Sequence, residues 1–277
     1  MMTGTQHGAI DFEWLMANLE VGSVPYGVDE EKVGEVDTFV LGSKAVYAAE
    51  AYVLGLFQLY PTVYFHKTTR GAEKIFGELL FRVISLSRDK GGPKTGLPPK
   101  HPLRTFATNS NDLERLISLD DTVLWGSLNF LTEASDPTVQ SLARRLQDRK
   151  LYKCIDVRES LLKRLGDDAD EEVVEHACQG IDTKITEWLA TRTDVAPRII
   201  TDRAEREPYR RFQDSKGPLN QIRIRAGGGG LVDLVKRSKV VAAINMFKLY
   251  RVYVSDAEAR EFVERAIDEE GTHGGKN

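Results

Sequence analysis

The stretch KAVYAAEAYVLGLFQLY, residues 44–60, decides the predicted fold of this chain. It is apolar on nearly every face of a helix, and a helix that is apolar all round is typical of a protein interior. Pro61 follows it, and proline interrupts a helix because it lacks the amide proton and clashes with the preceding turn. The sequence therefore predicts a buried central helix that ends at Tyr60.

The segment that follows, residues 62–87, predicts a second helix of a different kind. Its apolar residues recur at three- and four-residue steps: Ile75, Phe76, Leu79, Leu80, Val83 and Ile84. Charged residues such as Arg70, Glu73 and Lys74 lie between them. This periodicity indicates an amphipathic helix with one buried stripe.

Several shorter helices are predicted beyond a loop. Residues 91–102 contain three glycines and four prolines, so neither helix nor strand can persist there. Asp112, Asp120 and Asp136 each precede an apolar-periodic run, in the position of a helix N-cap. A further helix, rich in acidic residues in its first turn, runs through Trp188, and the acids suit the positive end of its dipole.

The pattern changes after Pro197. Residues 198–201, 221–225 and 249–254 alternate in polarity or are rich in β-branched and aromatic residues, which predicts short strands. We therefore predict a mainly α fold with a small C-terminal α+β lobe. The predicted domains are a helical part, residues 1–165, and the lobe, residues 166–277.

Composition excludes several classes of protein. The 38 basic and 42 acidic side chains give a formal charge of -4, which argues against a nucleic-acid partner. Two cysteines cannot form a disulfide framework. No apolar run is long enough to span a bilayer, and the N-terminus lacks the order of a secretory signal. These features predict a cytoplasmic protein without a membrane partner.

Motif chemistry predicts no catalytic residue and no metal ligand in this chain. Walker and dinucleotide-binding fingerprints are absent, as is the G-x-S-x-G elbow of serine hydrolases. The five histidines are scattered, without the i, i+4 pairing that places two imidazoles on one metal: His7, His66, His101, His176 and His273.

The glycine run Gly227 to Gly230 has two interpretations. Its amides could cradle a phosphate, with Arg223 and Arg225 nearby. Alternatively, it is a flexible connection from a strand to a helix that begins at Leu231. We favour the connection, because glycine runs mark turns far more often than ligand sites.

Residues 60–70, YPTVYFHKTTR, are the densest in functional side chains. Tyr60 and Tyr64 share a helical face, while His66, Lys67 and Arg70 add donors that can grip phosphate oxygens. The other interpretation is that the tyrosines belong to the core and the cations to a solvated face. Spacing alone leaves both open.

At these residues the sequence resembles the HD-domain phosphohydrolases, whose best-known branch is the deoxynucleoside triphosphate triphosphohydrolases. The residues that carry the resemblance are Ile10-Asp11-Phe12, Tyr26-Gly27-Val28-Asp29 and the V-Y-F-H-K-T-T-R-G-A-E core at residues 63–73. Looser landmarks are Leu119-Asp120-Asp121, residues 149–153 and residues 249–254, so the resemblance covers nearly the whole chain.

The resemblance implies phosphate-ester hydrolysis on nucleotides with a divalent metal that activates a water. In the family the metal is held by histidine, a His-Asp pair and a later aspartate, all upstream of a Met-Thr-Gly-Thr element. In this chain that element stands at residues 2–5. The resemblance therefore implies a family portion without the metal motif, for which no metal is expected in this chain alone.

The resemblance also implies roles for individual residues. Tyr64 and Tyr60 would line the substrate pocket, whereas His66, Lys67 and Arg70 would face a subunit interface or an allosteric nucleotide. Leu56 stands where the family usually has an arginine. The phosphate contact that this arginine would make is therefore not implied for this chain. The implied partners are a nucleotide substrate or effector and further copies in a homo-oligomer. A non-catalytic nucleotide-sensing or oligomerisation module and an inactive remnant are the alternatives.

Overall fold

The structure is a computed structural model that describes residues 10–28, 31–166, 168–192, 195–207, 209 and 221–273. The Met-Thr-Gly-Thr element, His7 and Asp29 lie outside these residues. The described chain is mainly α with small sheets, which confirms the predicted fold class.

Helices make up most of the described chain, and short strands lie between them. The α-helices are α1 Phe12–Ala17, α2 Val46–Leu59, α3 Lys67–Arg88, α4 Pro102–Thr108, α5 Leu113–Ile117, α6 Asp121–Thr132, α7 Pro137–Gln147, α8 Val157–Leu165, α9 Glu171–Ala190, α10 Leu234–Arg237, α11 Lys239–Ala243 and α12 Ala257–His273. The strands are β1 Leu19–Val28, β2 Glu31–Leu41, β3 Lys153–Asp156, β4 Ile199–Arg206, β5 Arg223–Arg225, β6 Leu231–Asp233 and β7 Phe247–Val254. Short 3-10 turns occur at Ser43–Ala45 and Gly92–Thr95, and a π-helical turn at Tyr60–Tyr64.

The chain divides into two compact units, each discontinuous in sequence. Unit 1 comprises Met1–His66 and Glu205–Lys248, and unit 2 comprises Lys67–Ala204 and Leu249–Asn277. This grouping differs from a contiguous division at residue 165, because the polypeptide leaves unit 1 after His66 and returns to it at Glu205.

Unit 1 contains a four-stranded sheet in the order β1-β2-β5-β6. Strands β1 and β2 form a long antiparallel hairpin with Leu19 opposite Leu41, and β5 joins β2 in parallel at Ile224. This hairpin was not predicted from the sequence. Its signal was the alternation around Val36, Thr38 and Val40, whose intervening residues are exposed.

Helix α2 corrects the prediction of a central helix that is buried all round. Its buried stripe continues from Ala45 through Ala49 to Val53, each at most 1% exposed, in the core of unit 1. Tyr47, by contrast, is 81% exposed. The face of α2 that packs on the core carries small and medium side chains. The opposite face is also apolar, but it is exposed, so only one face of the helix is buried. The helix ends at Leu59, one residue before the predicted end at Tyr60, and the interruption lies at Pro61 as predicted.

Helix α3 confirms the amphipathic prediction in unit 2. Ile75, Leu79 and Val83 are fully buried and pack in one core with residues of α6 and α7. The predicted N-caps are also confirmed. The side chains of Asp112, Asp120 and Asp136 accept hydrogen bonds from the first-turn amides of α5, α6 and α7, which satisfies donors that the helix cannot pair itself.

Unit 2 also contains a three-stranded sheet in the order β3-β7-β4. Helices α8, α9 and α12 cover it through a core that includes Ile181, Val252 and Val263. The strands predicted at 198–201, 221–225 and 249–254 are confirmed as β4, β5 and β7, whereas β3 was not predicted. Within the described ranges, no helix is long and apolar enough to cross a membrane.

Candidate functional site

A π-helical turn positions the two predicted pocket tyrosines at the end of unit 1's helix α2. Pro61 has no amide proton, so the α-helical ladder stops at Leu59. The chain then widens, and the amide of Phe65 donates to the carbonyl of Tyr60 over 2.7 Å, an i to i+5 bond. Such turns are rare and occur frequently at functional sites.

The turn gathers four aromatic rings, which we call the aromatic row: Tyr64, Tyr60, Phe65 and Phe247. Ring centroids are 5.5 Å apart for Tyr60 and Tyr64 and 5.8 Å for Tyr60 and Phe65. Phe65 and Phe247 stack at 5.4 Å with planes 7° apart. Tyr60 and Tyr64 are tilted by 46°, whereas the other two pairs are stacked. Aromatic pairs of these kinds add about 0.5–1.5 kcal/mol beyond simple burial, so each ring stabilises the position of its neighbour.

Exposure changes along the aromatic row. Phe65 is 6% exposed and anchors the row, whereas Tyr64 is 53% exposed. The structure thus presents a tyrosine ring to solvent with a second ring behind it. An exposed, backed ring can stack on a flat base or on the apolar face of a sugar.

The five predicted site residues do not fall in one unit. Tyr60, Tyr64 and His66 belong to unit 1, whereas Lys67 and Arg70 belong to unit 2. The side chains of His66 and Lys67 are both exposed. Their predicted contact with a nucleotide or a subunit interface stays a prediction.

The start of α3 is fixed by a tyrosine of β7, in unit 2. The hydroxyl of Tyr253 donates to the carbonyl of Lys67 over 3.0 Å, and burial raises the pKa of this hydroxyl. One turn later, Gly71 leaves room for the ring, because a β-carbon there would lie 2.8 Å from Cε1 of Tyr253. The glycine of the T-R-G-A-E stretch therefore has a packing role.

We expect Gly71→Ala to lower the free energy of unfolding by about 1–2 kcal/mol. Alanine gains up to about 1 kcal/mol in helix propensity, but overpacking against a buried ring costs about 1–3 kcal/mol. Gly77→Ala is the matched control on the same helix, since a β-carbon there meets nothing within 4 Å. Urea unfolding should show the control more stable and Gly71→Ala less stable than the wild type; a stabilised Gly71→Ala would contradict the packing role.

Arg70 is bound by carboxylates of its own unit. Its Nε and Nη2 donate to the two oxygens of Asp202 over 3.0 and 2.5 Å, and Nη1 donates to Glu73 over 3.0 Å. The Nζ of Lys74 lies 3.1 Å from the same Asp202. Three of Arg70's donors already meet carboxylates in this structure, so a phosphate contact by Arg70 would compete with Asp202.

Asp202 is the centre of this ion cluster, although no sequence pattern singled it out. The residue lies on β4 and is 0% exposed. Burial by itself would raise the pKa of its carboxyl, but the hydrogen bonds from Arg70 and Lys74 outweigh burial and hold the pKa below its ordinary value. The available signal was that Asp202 lies two residues after Ile200 and therefore on the same face of the predicted strand, which is the buried face, whereas Thr201 and Arg203 are exposed.

The described residues do not fit a divalent metal. Among the side chains that the structure describes, no three histidine, cysteine, aspartate or glutamate residues converge. His101 serves a different purpose, because its Nδ1 accepts from the amide of Leu103 at the start of α4, and burial lowers its pKa. The expectation that this chain alone holds no metal stays a prediction.

The glycine run at 227–230 connects two strands, so the predicted helix start at Leu231 is wrong. The amide of Ala226 donates to Gly230 over 2.8 Å and that of Gly229 to Ala226 over 2.9 Å, which closes a hairpin between β5 and β6. Arg225 is engaged with Glu20. The loop is a turn, as the favoured interpretation held, although it leads to a strand.

Comparison with known proteins relates part of this chain to HD-domain proteins. Residues 31–90 match the family model described as the HD associated region. That range includes β2, α2, the π-helical turn and α3. It therefore contains the exposed Tyr64 and helix α3, which carries Arg70.

Relatives and solved structures extend the likeness. The chain is 27% identical over 161 residues to the uncharacterized protein YwfO of Bacillus subtilis (strain 168), which is 56% of this chain and 36% of YwfO. The fold of the present chain is similar to that of a phosphohydrolase from Bacteroides thetaiotaomicron, with a TM-score of 0.54 and 19% identity. The match covers 79% of this chain and 52% of the phosphohydrolase chain. A hypothetical protein from Aquifex aeolicus gives TM-score 0.48 at 18% identity, covering 96% of this chain and 53% of that chain.

The chain spans about a third of YwfO and about half of the two solved chains. The likeness therefore concerns a portion of each relative. Residues 31–90 are similar to the region associated with HD domains, and the solved phosphohydrolase has a similar fold.

Proposed function

We propose that this chain is the HD-associated portion of an HD-type phosphohydrolase that acts on nucleotides, with the catalytic metal held outside these 277 residues. The observation that carries the proposal is the aromatic row, of which Tyr60, Tyr64 and Phe65 lie in the HD-associated match; the row ends in a half-exposed Tyr64 beside Tyr60. Nucleobases stack on exposed aromatic rings, with a contribution of about 1–3 kcal/mol per base.

The residues of this chain bind and orient the nucleotide. Tyr64 stacks on the nucleoside, and Tyr60 keeps the Tyr64 ring in place through their 5.5 Å ring contact. His66 and Lys67 supply exposed donors for phosphate oxygens at a subunit interface or an effector site. A divalent metal, when bound, would supply the activated water; none of the described residues is assigned to hold it.

A second candidate is a non-catalytic nucleotide-sensing or oligomerisation module. The half-exposed Tyr64 ring supports it as well, because a ring that stacks on a nucleobase can bind an effector as readily as a substrate. In that case the aromatic row binds the same nucleotide, and the consequence is assembly of copies rather than turnover.

The test is a binding titration with a fluorescent deoxyguanosine triphosphate and unlabelled competitors of the other three bases. Base–aromatic stacking contributes about 1–3 kcal/mol, so we expect Tyr64→Ala to weaken binding about tenfold. Tyr47→Ala is the matched control, because Tyr47 is also exposed and lies on the same unit but outside the aromatic row. It should leave the affinity unchanged.

The outcomes separate the candidates. Absence of binding by any nucleotide overturns the nucleotide class, and equal affinity of Tyr64→Ala and the wild type overturns the stacking role. Release of phosphate or of inorganic triphosphate from a nucleotide by the 277-residue chain with Mn²⁺ overturns the placement of the metal ligands elsewhere. Nucleotide-dependent association in analytical ultracentrifugation, without turnover, supports the sensing module.

A further inference from the structure

Unit 1 contains an apolar pocket of about 540 Å³ that the proposed function does not use. Small-molecule sites are typically about 300–1,000 Å³ and mostly apolar. Leu41 of β2 and Ala49 of α2 are buried residues at its floor. The lining brings together α1, β2, α2 and the start of β5.

The rim of this pocket is apolar and exposed. Phe12 and Met16 of α1, Phe39 of β2 and Tyr52 of α2 are between 44% and 71% exposed, and all four line the pocket. Single exposed apolar residues are common on protein surfaces, but several around one cavity mark a binding site. The arrangement therefore indicates an apolar ligand body.

The charged and amide side chains of the lining come from one short segment. Gln221 and Arg223 are two residues apart, and both line the pocket beside Ile222. Both side chains carry N–H donors, two on the Gln221 amide and five on the Arg223 guanidinium. An arginine and an amide together form a recognition pair for a carboxylate.

We propose that this pocket binds a long-chain monocarboxylate, with the acyl chain against the apolar floor and rim and the carboxylate at Gln221 and Arg223. The NH2 group of the Gln221 amide donates to the carboxylate, and the Arg223 guanidinium, which also makes a contact within the protein, supplies the charge through its remaining donors. The proposal goes beyond the nucleotide function, because it concerns a different cavity and a different class of ligand.

The shape and the distribution of polar groups favour a small amphiphile over a polypeptide. A bound peptide needs partners for a backbone amide and carbonyl at every residue. The pocket offers Gln221 and Arg223 at one place and apolar surface elsewhere. A ligand with one polar head and a continuous apolar chain matches this arrangement.

The experiment displaces a fluorescent fatty-acid analogue from the full chain with octanoate, decanoate and dodecanoate below their micellar concentrations. Each buried methylene contributes about 0.8 kcal/mol, so affinity should rise about fourfold per added carbon. Methyl dodecanoate should bind more weakly than dodecanoate, because the ester cannot form the charged contact. Non-saturable uptake, or equal affinity for all chain lengths, would overturn the proposal.

Two exposed phenylalanines provide a matched pair of variants. Phe39 and Phe81 are 71% and 70% exposed, but only Phe39 lines the pocket, and Phe81 belongs to unit 2. Phe39→Ser should weaken dodecanoate binding about tenfold, the loss expected for a large apolar contact, and Phe81→Ser should not change it. Equal effects of the two variants would indicate a nonspecific surface and would refute the site.

Arg223→Met tests the head group separately. It should weaken dodecanoate binding about tenfold, since hydrogen bonds to charged groups contribute about 1.5–3 kcal/mol, and it should leave methyl dodecanoate unchanged. Circular dichroism and thermal melting verify that each variant is folded. A variant that loses both ligands equally while remaining folded contradicts the assignment of the carboxylate to Arg223.

Discussion

Gly96→Ala should lower the free energy of unfolding by about 3 kcal/mol. Gly96 follows the 3-10 turn Gly92–Thr95 with φ +79°, a conformation that costs an L-residue about 1–2 kcal/mol. A β-carbon there would also lie 2.3 Å from the carbonyl oxygen of Phe130. Overpacking of this kind costs about 1–3 kcal/mol, and the two effects add.

The Phe130 contact cannot be relieved by a side-chain rotation. The carbonyl belongs to the backbone at the end of α6, and it already accepts a hydrogen bond from the amide of Glu133. A shift of this oxygen would therefore disturb the end of the helix. Both features act on the same residue, so the variant tests backbone geometry and packing together.

Urea unfolding followed by circular dichroism measures the effect. Gly126→Ala is the matched control on α6, because a β-carbon at Gly126 meets nothing within 4 Å and its φ is not positive. We expect this control to gain up to about 1 kcal/mol from helix propensity. A Gly96→Ala variant as stable as the wild type would mean that the loop between α3 and α4 is positioned differently.

The features that could be predicted from the sequence are local ones. The caps of α5, α6 and α7 depend on one aspartate and the next two or three amides, and the buried stripe of α3 depends on residues four apart. Each can be read from a short window. The same holds for the end of α2 before Pro61.

The features that were not predicted depend on residues far apart in the chain. Phe65 stacks on Phe247, and Arg70 binds Asp202, which is 132 residues away. Neither pairing has a signature within a window of sequence. The π-helical turn was also missed, because Pro61 indicates an interruption but does not specify the wider turn that follows it.

Burial of α2 shows a second limit of sequence patterns. By residue type alone, Tyr47 and Val53 could both belong to a core. In the structure, however, Tyr47 is exposed and Val53 is buried. The packing of small residues against β5 and α10 decides which face is covered. A run of apolar residues therefore predicts a helix but not the number of its faces that are buried.

Asp202→Asn should lower the free energy of unfolding at pH 7 by about 3 kcal/mol, because removal of one partner from a buried ion pair leaves the other charge uncompensated. Asp202 is fully buried, and it neutralises both Arg70 and Lys74. Asparagine keeps the size of the side chain and removes the charge. Glu73→Gln is the matched control, since Glu73 meets the same arginine but is 53% exposed, and it should cost less than about 1 kcal/mol.

The dependence on pH provides an independent check of the same ion cluster. Burial opposes ionisation of Asp202, but the hydrogen bonds from Arg70 and Lys74 outweigh burial and hold the folded-state pKa of Asp202 below the ordinary 3.8. A lowered pKa stabilises the folded state fully above the unfolded pKa, and this contribution is lost as the pH falls through the folded value. The stability difference between the wild type and Asp202→Asn should thus be constant from about pH 7 to pH 5 and narrow below about pH 4. Urea unfolding at pH 7, 5 and 3 measures it; a gap that widens on acidification would mean that the Asp202 carboxylate is not what holds Arg70 and Lys74 together.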